Sequence, residues 1–155
     1  MDAQIGHEKT LTGLMPALAK TSLIYGMGMI DMGMVVSYEQ LLMDAEFVRM
    51  FKRAEKGIKV DEDTLALKVI EAVGPAGNYL GQVHTLKHMR NEISTAKLID
   101  RKSHSTWEKE GSLDMVQRAN KAARQIFESH EPERLSPDII QILDAIIAEA
   151  SLEVK

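Results

Sequence analysis

Two short apolar segments, separated by helical sequence, most limit how this chain can fold. Residues 22–25 form an apolar run that ends at Gly26 as a buried parallel strand would, and the loop from Pro75 leads into a second candidate strand at 79–80. Two such strands cannot pair all their backbone groups, because each would leave an open edge. The 155 residues therefore form an essentially helical domain, or they need strands that lie elsewhere.

Helical signals cover most of the remaining sequence. Helix 38–56 has the clearest signals, because Ser37 and Gln40 form a capping box before it and Gly57 follows it. Asp61 is expected to cap the next helix, and Ser136 is expected to cap the last one with Pro137 in its first turn. The full set of predicted helices is 3–20, 38–56, 61–74, 84–93, 106–110 (with Ser105 and Glu108 as a capping box), 113–129 and 137 onward.

Composition and charge exclude several classes of protein. The chain has no cysteine, which removes disulfides, thiolate zinc sites and thiol nucleophiles and favours a cytoplasmic protein. Its net charge is −4, and its basic residues are scattered among acidic ones, which argues against nucleic-acid binding. No window has the roughly 18 apolar residues of a membrane span, and the first thirty residues do not resemble a signal peptide. We therefore expect neither a nucleic-acid nor a membrane partner.

Residues 25–34, which we call the 25–34 loop, are where a binding site is expected. The loop follows a candidate strand and precedes a capped helix, as at the catalytic rim of an α/β barrel. Tyr25 either lines a site or packs, and Asp31 either faces a ligand or bonds loop amides. The glycine spacing does not match a dinucleotide fingerprint. The four methionines of the loop could bind copper(I), although filling an apolar gap is their commoner use.

His84 and His88 form a second candidate site. Their spacing of four residues places both imidazoles on one helical face, as in a zinc pair. The sequence supplies neither the glutamate of a zinc-protease motif nor an evident third ligand. Hydrogen bonds to nearby backbone or carboxylate groups are the alternative, and no metal site is predicted.

The order and spacing of many short motifs resemble one family, the trimethylamine methyltransferases. The central match is Leu23-Ile24-Tyr25-Gly26-Met27-Gly28-Met29-Ile30-Asp31, followed by Ser37-Tyr38-Glu39-Gln40 and Asp44-Ala45-Glu46. Further matches lie at 2–4, 8, 11–13, 63–67, 70–75, 84–85, 90–92, 100–101, 107–108, 111, 131–132 and 135. The resemblance therefore covers essentially the whole chain.

The resemblance implies an α/β fold, in which residues 1–100 are the C-terminal part of a TIM (β/α)8 barrel with its last two strands. Residues 101–155 would be a helical extension packed on the same domain, so the fragment itself would be mostly α-helical. The implied enzyme moves a methyl group from trimethylamine, or a related tertiary or quaternary amine, to the cob(I)alamin of a separate corrinoid protein in methylamine metabolism and methanogenesis. No cofactor would be bound directly.

The resemblance also implies where the reaction would occur. The catalytic pyrrolysine would lie upstream, outside this chain, and the substrate would be bound by Tyr25, Gly26, Asp31 and Met34. Betaine-specific relatives tend to have histidine at the position of Tyr25, so the identity of the amine stays open. The expected partners are the corrinoid protein, the amine and the rest of the barrel, in a homo-oligomer at full length. The alternative is a non-catalytic helical module that docks onto a protein through the 25–34 loop.

Overall fold

The computed structural model describes residues 1–93 and 95–153, and these residues are mainly helical. Short strands form only within one small hairpin in this part of the chain. The elements are α1 (Ala3–Leu18), β1 (Met29–Ile30), a 3-10 turn (Asp31–Gly33), β2 (Val35–Val36), α2 (Tyr38–Glu55), α3 (Glu62–Leu65), α4 (Leu67–Val73), α5 (Val83–Glu92), α6 (His104–Lys109), α7 (Met115–Ser129) and α8 (Pro137–Glu153).

The chain divides into two compact units, Met1–Arg124 and Gln125–Lys155. The first contains α1 to α6 and most of α7, and the second contains the end of α7 and all of α8. The predicted division into 1–100 and 101–155 stays a prediction, and the last two residues of the predicted extension lie outside the described ones. Among the described helices, none combines the length and the apolar character needed to cross a bilayer.

Contact between α1 and α2 organises the first unit. Gly13 of α1 is buried against the ring of Phe51, and a Cβ added to this glycine would lie 2.4 Å from Cε2 of Phe51. A second cluster joins α2 to α7, with Met43, Leu98 and Ala119 at its centre. Small residues at the contact points therefore let the helices approach closely.

Neither predicted strand is formed in the structure. Residues 22–25 have no strand partner, and residues 79–80 lie in the turn before α5. A parallel strand is stable only with a neighbour to accept its backbone hydrogen bonds, and the described residues provide none for either segment. The sheet that does form is an antiparallel hairpin in which Met29 faces Val36 and Ile30 faces Val35. The mostly helical character is confirmed, but the described residues contain no barrel.

Local capping signals locate several helix starts correctly. α2 begins after Ser37, α3 after Asp61 and α8 at Pro137, as predicted. The single helix expected over 61–74 is divided instead, because Ala66 adopts a left-handed conformation with φ 52° between α3 and α4. The predicted capping box at Ser105 is wrong as well, since Ser103 caps α6 by accepting the backbone N–H of Thr106.

Candidate functional site

The 25–34 loop contains β1 and the 3-10 turn that leads to β2. Its backbone has positive φ at three glycines and at Asp31 (φ 50°) and Met32 (φ 51°). Gly28 has the strictest requirement, because its φ is 75° and an added Cβ would lie 3.0 Å from Cβ of Leu41 in α2. Only glycine satisfies both conditions without strain. The loop is therefore seated directly on α2.

Asp44, a buried residue of α2, anchors this loop. Its Oδ2 accepts a hydrogen bond from the backbone N–H of Gly28 at 2.8 Å, and its Oδ1 accepts one from Nε2 of Gln40 at 2.7 Å. Gln40 is completely buried. A buried carboxylate with satisfied oxygens holds its neighbours firmly, because losing one partner leaves a charge or a polar group without solvation.

Lys9 of α1 supplies the positive charge beside the carboxylate of Asp44. Its Nζ lies 3.2 Å from Oδ2 of Asp44 and donates to the carbonyl oxygen of Gly26 at 2.7 Å. The charge of Asp44 is thus balanced by an ammonium that also binds the loop backbone. Together Lys9 and Asp44 hold both ends of the segment from Gly26 to Gly28.

The first residues of α2 also contact the 25–34 loop, and their hydrogen bonds differ from the capping box that the sequence predicts. Ser37 caps the helix, with its Oγ accepting the backbone N–H of Gln40 at 3.2 Å. The side chain of Gln40 does not return to the N–H of Ser37: its Nε2 donates to Asp44, and its Oε1 has no hydrogen-bond partner among the described residues. That N–H instead donates to the carbonyl oxygen of Gly28 at 2.8 Å. Half of the predicted capping box is therefore replaced by contacts to the loop.

Glu39 links the first turn of α2 to α7. Nδ2 of Asn120 donates to its Oε1 at 2.6 Å, and Ser37 donates to its Oε2 at 2.8 Å. The hydrogen bond from Asn120 is the main reason that the pKa of Glu39 is lowered from its ordinary value. The end of the helix next to the loop is thus fixed to a second helix.

A cleft of about 420 Å³ lies between the 25–34 loop, α1 and α2. Tyr25 and Gly26 line it, and Tyr25 is 84% exposed. Asp31 and Met34 do not belong to its lining, and both are exposed. The structure therefore brings two of the four predicted substrate-binding residues to this cleft. The remaining lining residues are Lys9, Thr12, Gly13, Ile24, Met27, Met29, Met32, Gly33, Asp44, Phe47, Val48 and Phe51.

The chemistry of the lining favours binding and positioning. Its surface combines an aromatic face at Tyr25 with methionine side chains, and its one carboxylate, Asp44, is already paired with Lys9. An aromatic face and thioethers suit a cationic group covered with methyls, because the ring attracts the charge and the apolar atoms pack against methyls. No catalytic group is assigned among these residues.

Sequence reasoning missed Lys9, Gln40 and Asp44 as residues that shape the site. All three are polar residues in amphipathic helices, where a solvent-exposed position is the usual expectation. One signal was available, because Gln40 and Asp44 are four residues apart and therefore share a helix face. The sequence alone does not show that this face is turned toward the loop.

Comparison with known proteins shows which family this chain resembles in sequence. The profile of the family described as trimethylamine methyltransferase matches residues 1–154. A trimethylamine methyltransferase of Desulfitobacterium hafniense is 45% identical over 152 residues, which are 98% of this chain and 30% of the relative. One from Methanosarcina mazei is 39% identical over 149 residues, 96% of this chain and 30% of the relative.

A relative with a different named substrate is also similar. The glycine betaine methyltransferase of Desulfitobacterium hafniense is 38% identical over 155 residues, which are 99% of this chain and 32% of that protein. The chain therefore spans about 30% of the length of the curated relatives it matches.

Proposed function

The chain belongs to the trimethylamine methyltransferase family, and from this premise we propose that it works as the C-terminal part of a methylamine:corrinoid methyltransferase. The complete cytoplasmic enzyme would move a methyl group from trimethylamine, or a related tertiary or quaternary amine, to the cob(I)alamin of a cognate corrinoid protein. Family membership over residues 1–154 is the observation that carries the proposal.

The exposed apolar surface supports a role within a larger protein. Among the described residues, the buried hydrophobic ones are Met43, Phe51, Leu98, Ala119 and Ala123. In contrast, Leu23 is 75% exposed and Leu80 is 76% exposed, and these residues belong to the two segments predicted as barrel strands. Burying such side chains against further strands would stabilise the fold by about 1.5–3 kcal/mol per residue. We propose that the remaining part of the barrel covers these exposed side chains.

The cleft beside the 25–34 loop would then contribute to the amine site. The corrinoid of the partner protein would supply the nucleophile that accepts the methyl group, while the electron pair of the broken C–N bond leaves with the amine. The residues of this chain would hold the methylated nitrogen in line and exclude water. Tyr25 would provide an aromatic face for the positive charge. A pyrrolysine in the upstream part would be the catalytic residue.

The substrate is proposed at the level of a class. The similarity to trimethylamine methyltransferases favours trimethylamine. The similarity to a glycine betaine methyltransferase keeps quaternary amines in the proposed range.

A methyl-transfer assay tests this proposal. The complete polypeptide would be mixed with its reduced corrinoid protein, and loss of the cob(I)alamin absorbance would be followed after addition of trimethylamine, glycine betaine or methanol. We expect turnover with a methylated amine. We expect none with methanol, because methanol is neutral and has no methylated nitrogen. The 155-residue chain alone, mixed with the same corrinoid protein, is the control and should be inactive. Failure of every methylated amine would contradict the proposal.

The exposed 25–34 loop supports a second candidate, a non-catalytic interaction module. Met32 is fully exposed and Met34 is 82% exposed. Exposed methionines adapt to many apolar partners, and they are frequent on protein-binding surfaces. In this case the native product would be a short chain that binds another protein without methyl transfer.

A further inference from the structure

Three potential metal ligands, one from α3 and two from α5, lie close together. Asp63 comes from α3, and His84 and His88 lie one turn apart on α5. One ring nitrogen from each imidazole and one carboxylate oxygen all lie within 4.8 Å of one another. The fold thus supplies the third ligand that the spacing of the histidines alone does not reveal.

The distances suit a small ion. A tetrahedral zinc ion with bonds of about 2.0–2.2 Å separates its ligand atoms by about 3.3 Å. Nε2 of His88 already lies 3.3 Å from Oδ2 of Asp63, and Nε2 of His84 lies 3.9 Å from Oδ1. The two rings are stacked at a tilt, with centroids 4.2 Å apart. Since the ligand atoms lie within 4.8 Å of one another, side-chain movements of up to about 1.5 Å would close the set to the spacing of about 3.3 Å around a metal.

His88 shows that the cluster is not satisfied by its own hydrogen bonds. Its Nε2 is buried and has no hydrogen-bond partner among the described residues. An oxygen of Asp63 lies 3.3 Å from this nitrogen, but the contact does not meet the geometric requirements of a hydrogen bond. A buried ring nitrogen without a partner is costly, and a metal ion would satisfy it.

Two existing contacts compete with a metal. Nζ of Lys87 donates to Oδ2 of Asp63 at 2.7 Å, and Nε2 of His84 lies 2.6 Å from the carbonyl oxygen of Asp63. Lys87 is 58% exposed, so a metal ion that displaces it from Asp63 would release its ammonium group into solvent.

We propose that Asp63, His84 and His88 bind a divalent transition metal of the zinc class. Two imidazoles and a carboxylate are the nitrogen and oxygen donors that zinc takes in proteins, and three protein ligands leave a fourth position for water. The ion would join α3 to α5, because Asp63 and His84 are 21 positions apart in the sequence. This site is independent of the proposed methyl transfer, so either can fail without the other.

Metal titration of the 155-residue chain tests the proposal. Any affinity tag would be removed, the chain would be treated with a chelator, and cobalt(II) would be added as a coloured substitute for zinc. We expect one equivalent to produce the strong visible absorption of tetrahedral cobalt, and zinc to displace it. Failure of the native chain to bind either ion at a defined stoichiometry would overturn the proposal.

Variants identify the ligands. His88→Gln and Asp63→Asn should each weaken zinc binding by about 10-fold or more, because each removes one of three ligands. His104→Gln is the matched control, since His104 and Glu108 form an exposed pair at the same spacing, 3.6 Å apart, and neither belongs to the cluster. Unchanged affinity in His88→Gln would overturn the assignment.

One further variant separates ligand loss from misfolding. Lys87→Ala removes the cation that shares the carboxylate of Asp63, so it should tighten zinc binding while the helical circular-dichroism spectrum stays the same. A damaged fold cannot increase affinity. Zinc binding that is not tightened by Lys87→Ala would contradict a metal at this carboxylate.

Discussion

The backbone N–H of Gly28 donates a hydrogen bond to the buried carboxylate of Asp44, with 2.8 Å between nitrogen and Oδ2. This contact joins the 25–34 loop to α2, and Lys9 of α1 neutralises the same oxygen. The shape of the loop therefore depends on a charge located in the helix behind it. Whatever the loop binds, its position is set by α1 and α2.

Replacing Asp44 by alanine should destabilise the chain by about 3 kcal/mol, because the change leaves Lys9 without its counter-charge and two donors without an acceptor. Urea unfolding followed by circular dichroism would measure the loss. Glu71→Ala, at an exposed position of α4, is the control and should change the free energy of unfolding by less than about 0.5 kcal/mol. Equal effects of the two substitutions would contradict the anchoring role.

The contact between α1 and α2 depends on the absence of a side chain at residue 13. Gly13→Ala should destabilise the chain by about 1–3 kcal/mol, because the new Cβ would lie 2.4 Å from the ring of Phe51 and the helices would have to shift. Gly6→Ala is a matched control in the same helix, since no atom lies within 4 Å of its added Cβ. It should stabilise by up to about 1 kcal/mol through helix propensity. Thermal unfolding that shows a gain for both variants would refute the close packing.

Local chemistry explains which parts of the fold could be predicted from the sequence. Ser37, Asp61 and Pro137 mark helix starts through side-chain hydrogen bonds or backbone constraints that act within a few residues. The prediction of two strands was wrong because a strand needs hydrogen-bonding partners that are distant in the sequence. An apolar run such as residues 22–25 has the composition of a strand, but composition supplies no neighbour.

The difference between local and long-range contacts also explains which site residues could be predicted from the sequence. Of the four residues predicted to bind substrate, Tyr25 and Gly26 line the cleft, whereas Asp31 and Met34 do not, and their role in binding stays a prediction. Asp44 and Asp63 were not identified as site residues, because each meets its partners only when two helices pack together. Their roles depend on tertiary contacts that neither periodicity nor spacing encodes.

The capping carboxylate of Asp61 should make stability depend on pH. The hydrogen bond from Lys59, together with the backbone N–H of Thr64, lowers the pKa of Asp61 from 3.8 to about 2. Because the folded pKa is the lower one, the stabilisation is complete above pH 3.8 and is lost as the pH falls through about 2. The melting temperature of the native chain should exceed that of Asp61→Asn at pH 6, and the gap should shrink toward pH 2. A gap that stays constant over this range would contradict the prediction.

Tyr25 should contribute to amine binding through its ring in the complete methyltransferase. Tyr25→Ala should raise KM for trimethylamine by about 2–30-fold, the range expected from losing about 0.5–2 kcal/mol of cation–π attraction. Tyr25→Phe keeps the aromatic face and should stay close to the native value. Steady-state kinetics with the corrinoid protein would compare the variants. Equal KM values for the alanine and phenylalanine variants would show that the ring does not contact the amine.

The mass of the native product tests the central claim, that this segment acts within a larger methyltransferase. An antibody against residues 137–153 would isolate the product from source cells grown on methylated amines, and intact-mass spectrometry would measure it. Since the chain spans about 30% of its relatives, we predict a species of roughly three times its own mass, as a complete (β/α)8 barrel with extensions requires. A product of 17.3 kDa, the mass of the 155 residues alone, would contradict the account and favour the interaction module.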